Sequence, residues 1–170
     1  YFNRQLTIPF YFFKGRQIGS ASEVNYHFSR NNHDLVVGLD FRTDMFTEGA
    51  DSAVYKRNYS YYTGGLFAQY SYVLNKKATF EGGFRLDYNN VYKIYALPHL
   101  AWRQKWNEVF ITRVNAGMGY KLPNVFQDES EEARFINVYP IGDSVKPELS
   151  LGGTVDLLVK LPNYNGLSIT

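Results

Sequence analysis

Apolar and polar residues alternate at a period of two through nearly the whole chain, and a 3.6-residue period is hard to find anywhere in it. The stretch EGGFRLDYNN, residues 81–90, shows the pattern: Phe84, Leu86 and Tyr88 share one parity, while Glu81, Arg85 and Asp87 share the other. In a strand these two sets lie on opposite faces. Such a chain folds as antiparallel sheet, and its apolar stripe has to be covered by a second sheet or by lipid.

The alternation predicts strands over 18–28, 35–44, 61–74, 78–88, 95–103, 109–120 and 146–161, with part of another at 167–170. Most run about 10 residues or more, whereas strands of soluble domains typically have ~5–6. Tilted membrane-spanning strands need ~9–11. Connections are short near 30, 76, 106 and 164 and longer near 52 and 133, with a brief one near 90 as an exception. Short turns at one end and long loops at the other are the habit of outer-membrane barrels.

Aromatic residues make up 18% of the chain, and on the apolar parity they gather at strand ends. Tyr26, Phe28, Tyr70, Tyr72, Phe80, Trp102 and Phe110 fall near the short turns, and Tyr88 and Tyr120 near the other end. Two such belts suit the two interfaces of a bilayer. A soluble sandwich would instead have to bury those tyrosine hydroxyls in its dry core. No apolar run approaches the ~20 residues of a spanning helix. The expected fold is therefore all-β, an antiparallel transmembrane β-barrel segment, with 1–170 as one partial barrel domain.

Charge and cysteine content exclude other classes. Eighteen basic and 16 acidic residues leave a net charge of only +2 with no basic run, so nucleic acid has no electrostatic footprint. Without cysteine there is neither a disulfide framework nor a thiolate metal site. The chain opens on Tyr1 rather than Met and ends inside a strand, which reads as an internal piece of something longer. Glycine pairs at Gly64-Gly65, Gly82-Gly83 and Gly152-Gly153 leave room on the inner wall, as in a wide barrel holding something inside.

Three segments carry a family likeness. LFAQYSYVLNKKATFEGGFRLDYNN resembles a strand–turn–strand of TonB-dependent outer-membrane receptors. AGMGYKLPNVFQDE resembles that family's Gly-aromatic-basic-x-Pro segment, here Gly119, Tyr120, Lys121, Leu122 and Pro123. NVYPIGDSVKPELSLGGTVDL resembles its Leu-Lys-Pro-Glu lead into the next strand, here Lys146, Pro147 and Glu148, with Val145 where leucine is usual. The segments keep the family's order across roughly 60–160.

The resemblance implies seven to eight strands of a barrel of about 22, whose lumen is plugged. It also implies energy-coupled uptake of a large scarce ligand, such as a ferric siderophore or similar metal chelate, across the outer membrane of a Gram-negative bacterium. Coupling would run through the TonB energy-transducing protein, engaged by an N-terminal region outside this chain. Outer-membrane lipid and an extracellular ligand are the implied partners, with no cofactor and no enzymatic activity. A passive porin-type channel and a soluble β-sandwich carbohydrate-binding module are the alternatives.

Candidate residues follow from chemistry. Tyr55, Lys56, Arg57, Tyr59, Tyr61 and Tyr62 mix aromatic platforms with cations, which suits an anionic aromatic chelate, and Arg134 adds a loop cation. Asp40, Arg42, Glu81, Arg85, Asp87, Arg103 and Arg113 share the inner parity, where they would pair across strands or meet a plug. Asp128, Glu129, Glu131 and Glu132 form an acidic loop with weak Ca²⁺ potential and irregular spacing. On parity alone, Leu86→Arg should block membrane assembly and Arg85→Leu should be better tolerated.

Overall fold

The computed structural model describes residues 2–8, 11–49, 56–125, 138–159 and 167–169. Their strands are β1 (Phe2–Ile8), β2 (Tyr11–Arg30), β3 (His33–Glu48), β4 (Tyr59–Asn75), β5 (Ala78–Asn89), β6 (Lys93–Lys105), β7 (Phe110–Lys121), β8 (Glu148–Val159) and β9 (Leu167–Ile169). All nine lie in one sheet in chain order, each antiparallel to the next. Meander order of this kind is what an up-and-down barrel wall requires.

The periodic strands appear where alternation places them, but the first 17 residues add one strand and lengthen another. Residues 8–13 are an apolar run, and Phe13 is buried on the inner face. The polar parity that marks a strand is therefore absent there. β3 likewise continues to Glu48, past the point near Phe46 where a loop was expected, because Phe46 and Glu48 are both buried.

The tight turns are built by asparagine. Asn31 takes φ 54° in the two-residue β2–β3 turn, a left-handed position that Asn tolerates. Asn75 Oδ1 accepts from the amides of Lys77 and Ala78, and Asn107 Oδ1 from those of Val109 and Phe110. Asn89 does the same for Val91 and Tyr92 at the opposite end. Each side chain satisfies amides that the ladder has left behind.

One face of the sheet is apolar and uncovered. Val24, Tyr26 and Phe28 of β2, Leu39 and Phe41 of β3, Leu66, Phe84, Leu86 and Tyr88, then Leu100, Trp102, Val114, Met118, Leu149, Leu151 and Val155 all stand exposed, Leu151 at 80%. So contiguous a surface is incompatible with water and suited to lipid. On β3 the outward residues change from Phe41 to Thr43, whose hydroxyl bonds Ser20 of β2. From His33 to Phe41 is roughly 27 Å along the strand at ~3.4 Å per residue. Tilted by ~35–45°, that length rises about 20 Å along the membrane normal, most of an outward apolar band of about 25 Å.

Above that band the faces exchange character. Phe13, Phe46, Tyr59 and Tyr61 form a buried inner-face cluster together with Val125. The fold is thus a sector of transmembrane β-barrel whose strands continue past the bilayer at the long-loop end.

Candidate functional site: the inner wall at the long-loop end

The site begins with a register row. Asp40 of β3 pairs with Gly65 of β4, which pairs with Asp87 of β5. Strands are ~4.8 Å apart, so β3 and β5 side chains meet only by leaning across about 10 Å of β4. Gly65 permits this: a Cβ there would overlap Asp40 Oδ1 and Asp87 Oδ1.

Four charges interlock over that glycine. Arg85 Nε donates to Asp87 Oδ1 at 2.7 Å, and its Nη2 donates to both oxygens of Asp40 at 2.7 Å. Arg42 Nη2 donates to Asp87 Oδ2 at 2.6 Å, and its Nε lies 3.0 Å from Asp40 Oδ2. Asp87 is fully buried, and a third donor, the Tyr120 hydroxyl, reaches its Oδ2 at 2.7 Å. Each carboxylate is thus matched by charge and by hydrogen bonds, the condition under which buried charge is tolerated.

Tyr120 is a correction. Its parity in β7 puts it with Met118 on the outer face, in the expected belt, yet it points inward to Asp87 and stacks on Tyr95 at 4.1 Å between ring centroids, 5° from parallel. The β6–β7 ladder stops at His99–Gly117. Pro98 follows on β6, where it has no amide to donate, so the upper end of β7 is free of β6 and can turn inward.

Two cavities open on the inner side. One, of about 640 Å³, is lined by Gln17, Arg42, Asp44, Tyr61, Thr63 and Tyr120, among others. Gln17 Nε2 donates to Asp44 Oδ1 at 3.0 Å and to the Tyr59 hydroxyl at 3.3 Å. The other, of about 760 Å³, lies between Tyr59, Tyr61, Tyr92 and Tyr95 on one side and Ile141, Lys146 and Pro147 on the other. Tyr59 stacks on Tyr61 at 4.9 Å, and the hydroxyls of Tyr61 and Tyr92 meet at 3.3 Å.

The expected tyrosine-and-cation platform divides. Tyr59 and Tyr61 line the cavities, and Lys56 is exposed. Tyr62 faces outward with its hydroxyl on Met45 Sδ at 3.3 Å. Arg57 does not present a ligand-facing charge: it is 2% exposed, pairs with Glu48 through Nη2, donates from Nε to Glu48 Oε2 at 2.9 Å, and lies over the Phe13 ring. The buried Glu48 carboxylate holds it. Tyr55, Arg134, Asp128, Glu129, Glu131 and Glu132 lie outside the described residues.

Among the inner-parity charges, Asp40, Arg42, Arg85 and Asp87 come together. Glu81 accepts from Ser71 Oγ at 3.1 Å and lies 3.9 Å from His99 Nδ1. Arg103 and Arg113 sit directly opposite one another. Gly119, Tyr120 and Lys121 end β7 with Pro123 just beyond it, and Lys146 and Pro147 lead into Glu148, the first residue of β8, which lies opposite Lys121. Sequence reasoning missed Glu48, Gln17, Tyr92 and Tyr95. Only Tyr92 and Tyr95 carried a signal, as aromatics flanking a turn.

A contiguous lipid-facing band, an inner wall of interlocked charges and cavities at the long-loop end define a transmembrane β-barrel wall. A family profile described as "TonB dependent receptor-like, beta-barrel" matches residues 1–153, and the chain belongs to that family. Similar solved structures include the siderophore receptor PirA from Pseudomonas aeruginosa, with TM-score 0.67, 16% identity, and coverage of 88% of this chain and 29% of that one. The ferric enterobactin receptor PfeA from Pseudomonas aeruginosa, as a mutant in complex with enterobactin, gives TM-score 0.68 at 15% identity over 89% of this chain and 26% of that one. The copper transporter OprC gives TM-score 0.65 at 11% identity over 88% and 28%. The chain thus spans little more than a quarter of these proteins, and at such identities the likeness is one of fold. A comparison with curated protein sequences gives no match.

Proposed function

We propose that this chain is wall and ligand-facing surface of an outer-membrane receptor for energy-coupled uptake of a large metal chelate, a ferric siderophore or a close chemical relative. The observation that carries the reading is the pair of tyrosine-lined cavities at the long-loop end, the second of which also has Lys146 in its lining. Aromatic faces with a cation beside them suit a bulky anionic aromatic ligand, which gains from stacking and charge together. Coupling would run through TonB, with the engaging region elsewhere in the protein. The chain sits in the outer membrane of a Gram-negative bacterium in this reading.

The test is binding and uptake by the full-length receptor, with ferric enterobactin as the probe. Tyr92→Ala and Tyr95→Ala should each weaken binding by about tenfold, the scale of a buried aromatic contact. Uptake should require the proton-motive force. Passive, unsaturable flux unaffected by either variant would overturn the reading in favour of a porin.

A further inference from the structure

The ladder between β6 and β7 ends at His99–Gly117, although β6 reaches back to Lys93 and β7 runs on to Lys121. Their outer neighbours stay paired over the same stretch: β5 follows β6 to Lys93, and β8 follows β7 to Lys121. The ladders β2–β3, β3–β4 and β4–β5 also run through this level. The wall therefore opens between β6 and β7, and among the described ladders from β2 to β8 it opens nowhere else at this height.

Register sets the depth of the opening. Phe41 pairs with Gly64, Gly64 with Tyr88, and Tyr88 with Ile94. The same walk across β4 and β5 leads from Leu39 to Ala96 and from Val37 to Pro98. Ile94, Ala96 and Pro98 thus stand between the middle of the lipid-facing band and its upper edge. A ladder left open at that depth is costly, because edge amides and carbonyls find no partner in lipid.

The outer face is notched at the same place. Continued past His99–Gly117, the register would set Tyr120 opposite Ala96 on the lipid side, but Tyr120 is turned in onto Asp87 and Tyr95. Leu149, which pairs with Tyr120 in the β7–β8 ladder, is left 64% exposed. Leu149 also lines the cavity of about 760 Å³, as do Tyr95, Val91 and Val145. The tyrosine-lined cavity inside and the apolar notch outside therefore meet at the opening. The Tyr95–Tyr120 stack, with ring centroids 4.1 Å apart, bridges the opening from within and bars a bulky group, while a single chain can run past Leu149.

We propose that the notch between β6 and β7 takes the hydrocarbon tail of an amphiphilic metal chelate whose head sits in the adjoining cavity, an inference that rests on the function proposed above. The head meets tyrosine faces and Lys146. The tail gains by every methylene withdrawn from water, and Ala96, Pro98 and Met118 leave it a path at bilayer depth. A closed ladder would force a tailed ligand to hold its chain in the wet lumen.

The test uses the full-length receptor in outer-membrane vesicles. Its probes are ferric enterobactin and a derivative carrying a decanoyl chain on one catechol ring. The chain should strengthen binding by about tenfold. Ala96→Phe, which fills the notch from the lipid side, should abolish that gain, whereas Ala68→Phe, on the lipid face of β4 away from the opening, should retain it. Heat-modifiable migration checks that both variants assemble. Partition of the tail into bulk lipid is common to all three proteins, so a gain that survives Ala96→Phe would overturn the proposal. A phospholipid held by the parent and lost in Ala96→Phe, read by mass spectrometry of the purified receptor, would assign the notch to membrane lipid and overturn it too. If both probes bind equally, the tail site alone falls; if neither binds, the proposed function falls and the tail site with it.

Discussion

The Arg42 guanidinium on β3 reaches the Asp87 carboxylate on β5 at 2.6 Å, across a strand that lies between them. It does so because β4 contributes Gly65 at the crossing. With any side chain at that position, Asp40 and Asp87 would be pushed off their arginines, and a fully buried carboxylate would lose charge compensation. The bridge staples alternate strands, a connection that the ladder's nearest-neighbour hydrogen bonds do not provide.

Gly65→Ala should therefore destabilise the barrel by about 1–3 kcal/mol, the usual cost of forcing volume into a packed site. Gly64→Ala, one residue away on the lipid face with nothing within 4 Å, should stay within about 0.5 kcal/mol of the parent. Urea unfolding of the full-length receptor in lipid vesicles distinguishes the two. Equal effects would show that the crossing geometry is not what the glycine serves.

Leu86→Arg and Arg85→Leu separate the two faces, with a change from what parity alone suggests. Leu86 is exposed to lipid between the middle of the apolar band and its upper edge, so an arginine there should cost about 1–3 kcal/mol and impair assembly. Arg85 donates to both Asp40 and Asp87, so its loss leaves two carboxylates sharing the charge of Arg42, with the Tyr120 hydroxyl still on Asp87. Arg85→Leu should assemble but unfold more easily. Asn115→Leu, which removes only an exposed bond to Thr154, is the milder inner-face control. Assembly yields on membranes, read by heat-modifiable migration, should rank Asn115→Leu above Arg85→Leu above Leu86→Arg.

Much of this was legible in the chain. Period-two alternation gave the face of Leu86, Arg85 and Asp87 because within the bilayer lipid and lumen impose opposite polarity on each strand. The rule fails where its cause does. Phe13, Phe46 and Glu48 lie above the lipid, where the inner face is the buried one, so apolar parity no longer means outward. Tyr120 fails for another reason: its partner Asp87 is 33 residues away, and its freedom to turn depends on Pro98 ending a ladder on the neighbouring strand. No local pattern encodes that. The partnership of Arg57 with Glu48 was equally hidden, since a cation between tyrosines looks the same free or buried.

That ion pair gives a prediction about the loop it anchors. Glu48 closes the end of β3 and accepts from both the backbone amide and Nε of Arg57, while its own amide donates to Asn58 Oδ1. Removing one partner of a pair this buried costs about 3–5 kcal/mol, so Arg57→Ala and Glu48→Ala should each loosen the β3–β4 connection strongly. Replacing both, as Arg57→Met with Glu48→Leu, should recover most of the loss. Hydrogen exchange at the Phe46 and Tyr59 amides reads the effect directly, and additive losses in the double variant would show that the pair is not coupled.

Tyr120 offers the narrowest test, because its ring and its hydroxyl do separate things. The ring stacks on Tyr95 across the region where β6 and β7 no longer pair, and the hydroxyl supplies one of three donors to Asp87. Tyr120→Phe keeps the stack and removes the donor. A hydrogen bond to a charged group is worth about 1.5–3 kcal/mol, and Asp87 retains both arginines, so the loss should fall at the lower end of that range. Tyr120→Ala removes the stack as well and should add about 0.5–1.5 kcal/mol beyond its lost buried area. If Tyr120 instead faced lipid as its parity suggests, Tyr120→Phe would be neutral, and its aromatic resonances would not respond to Asp87→Asn. Unfolding of the two variants, with the ring shifts of Tyr95 as a local reporter, decides which face the residue occupies in the membrane.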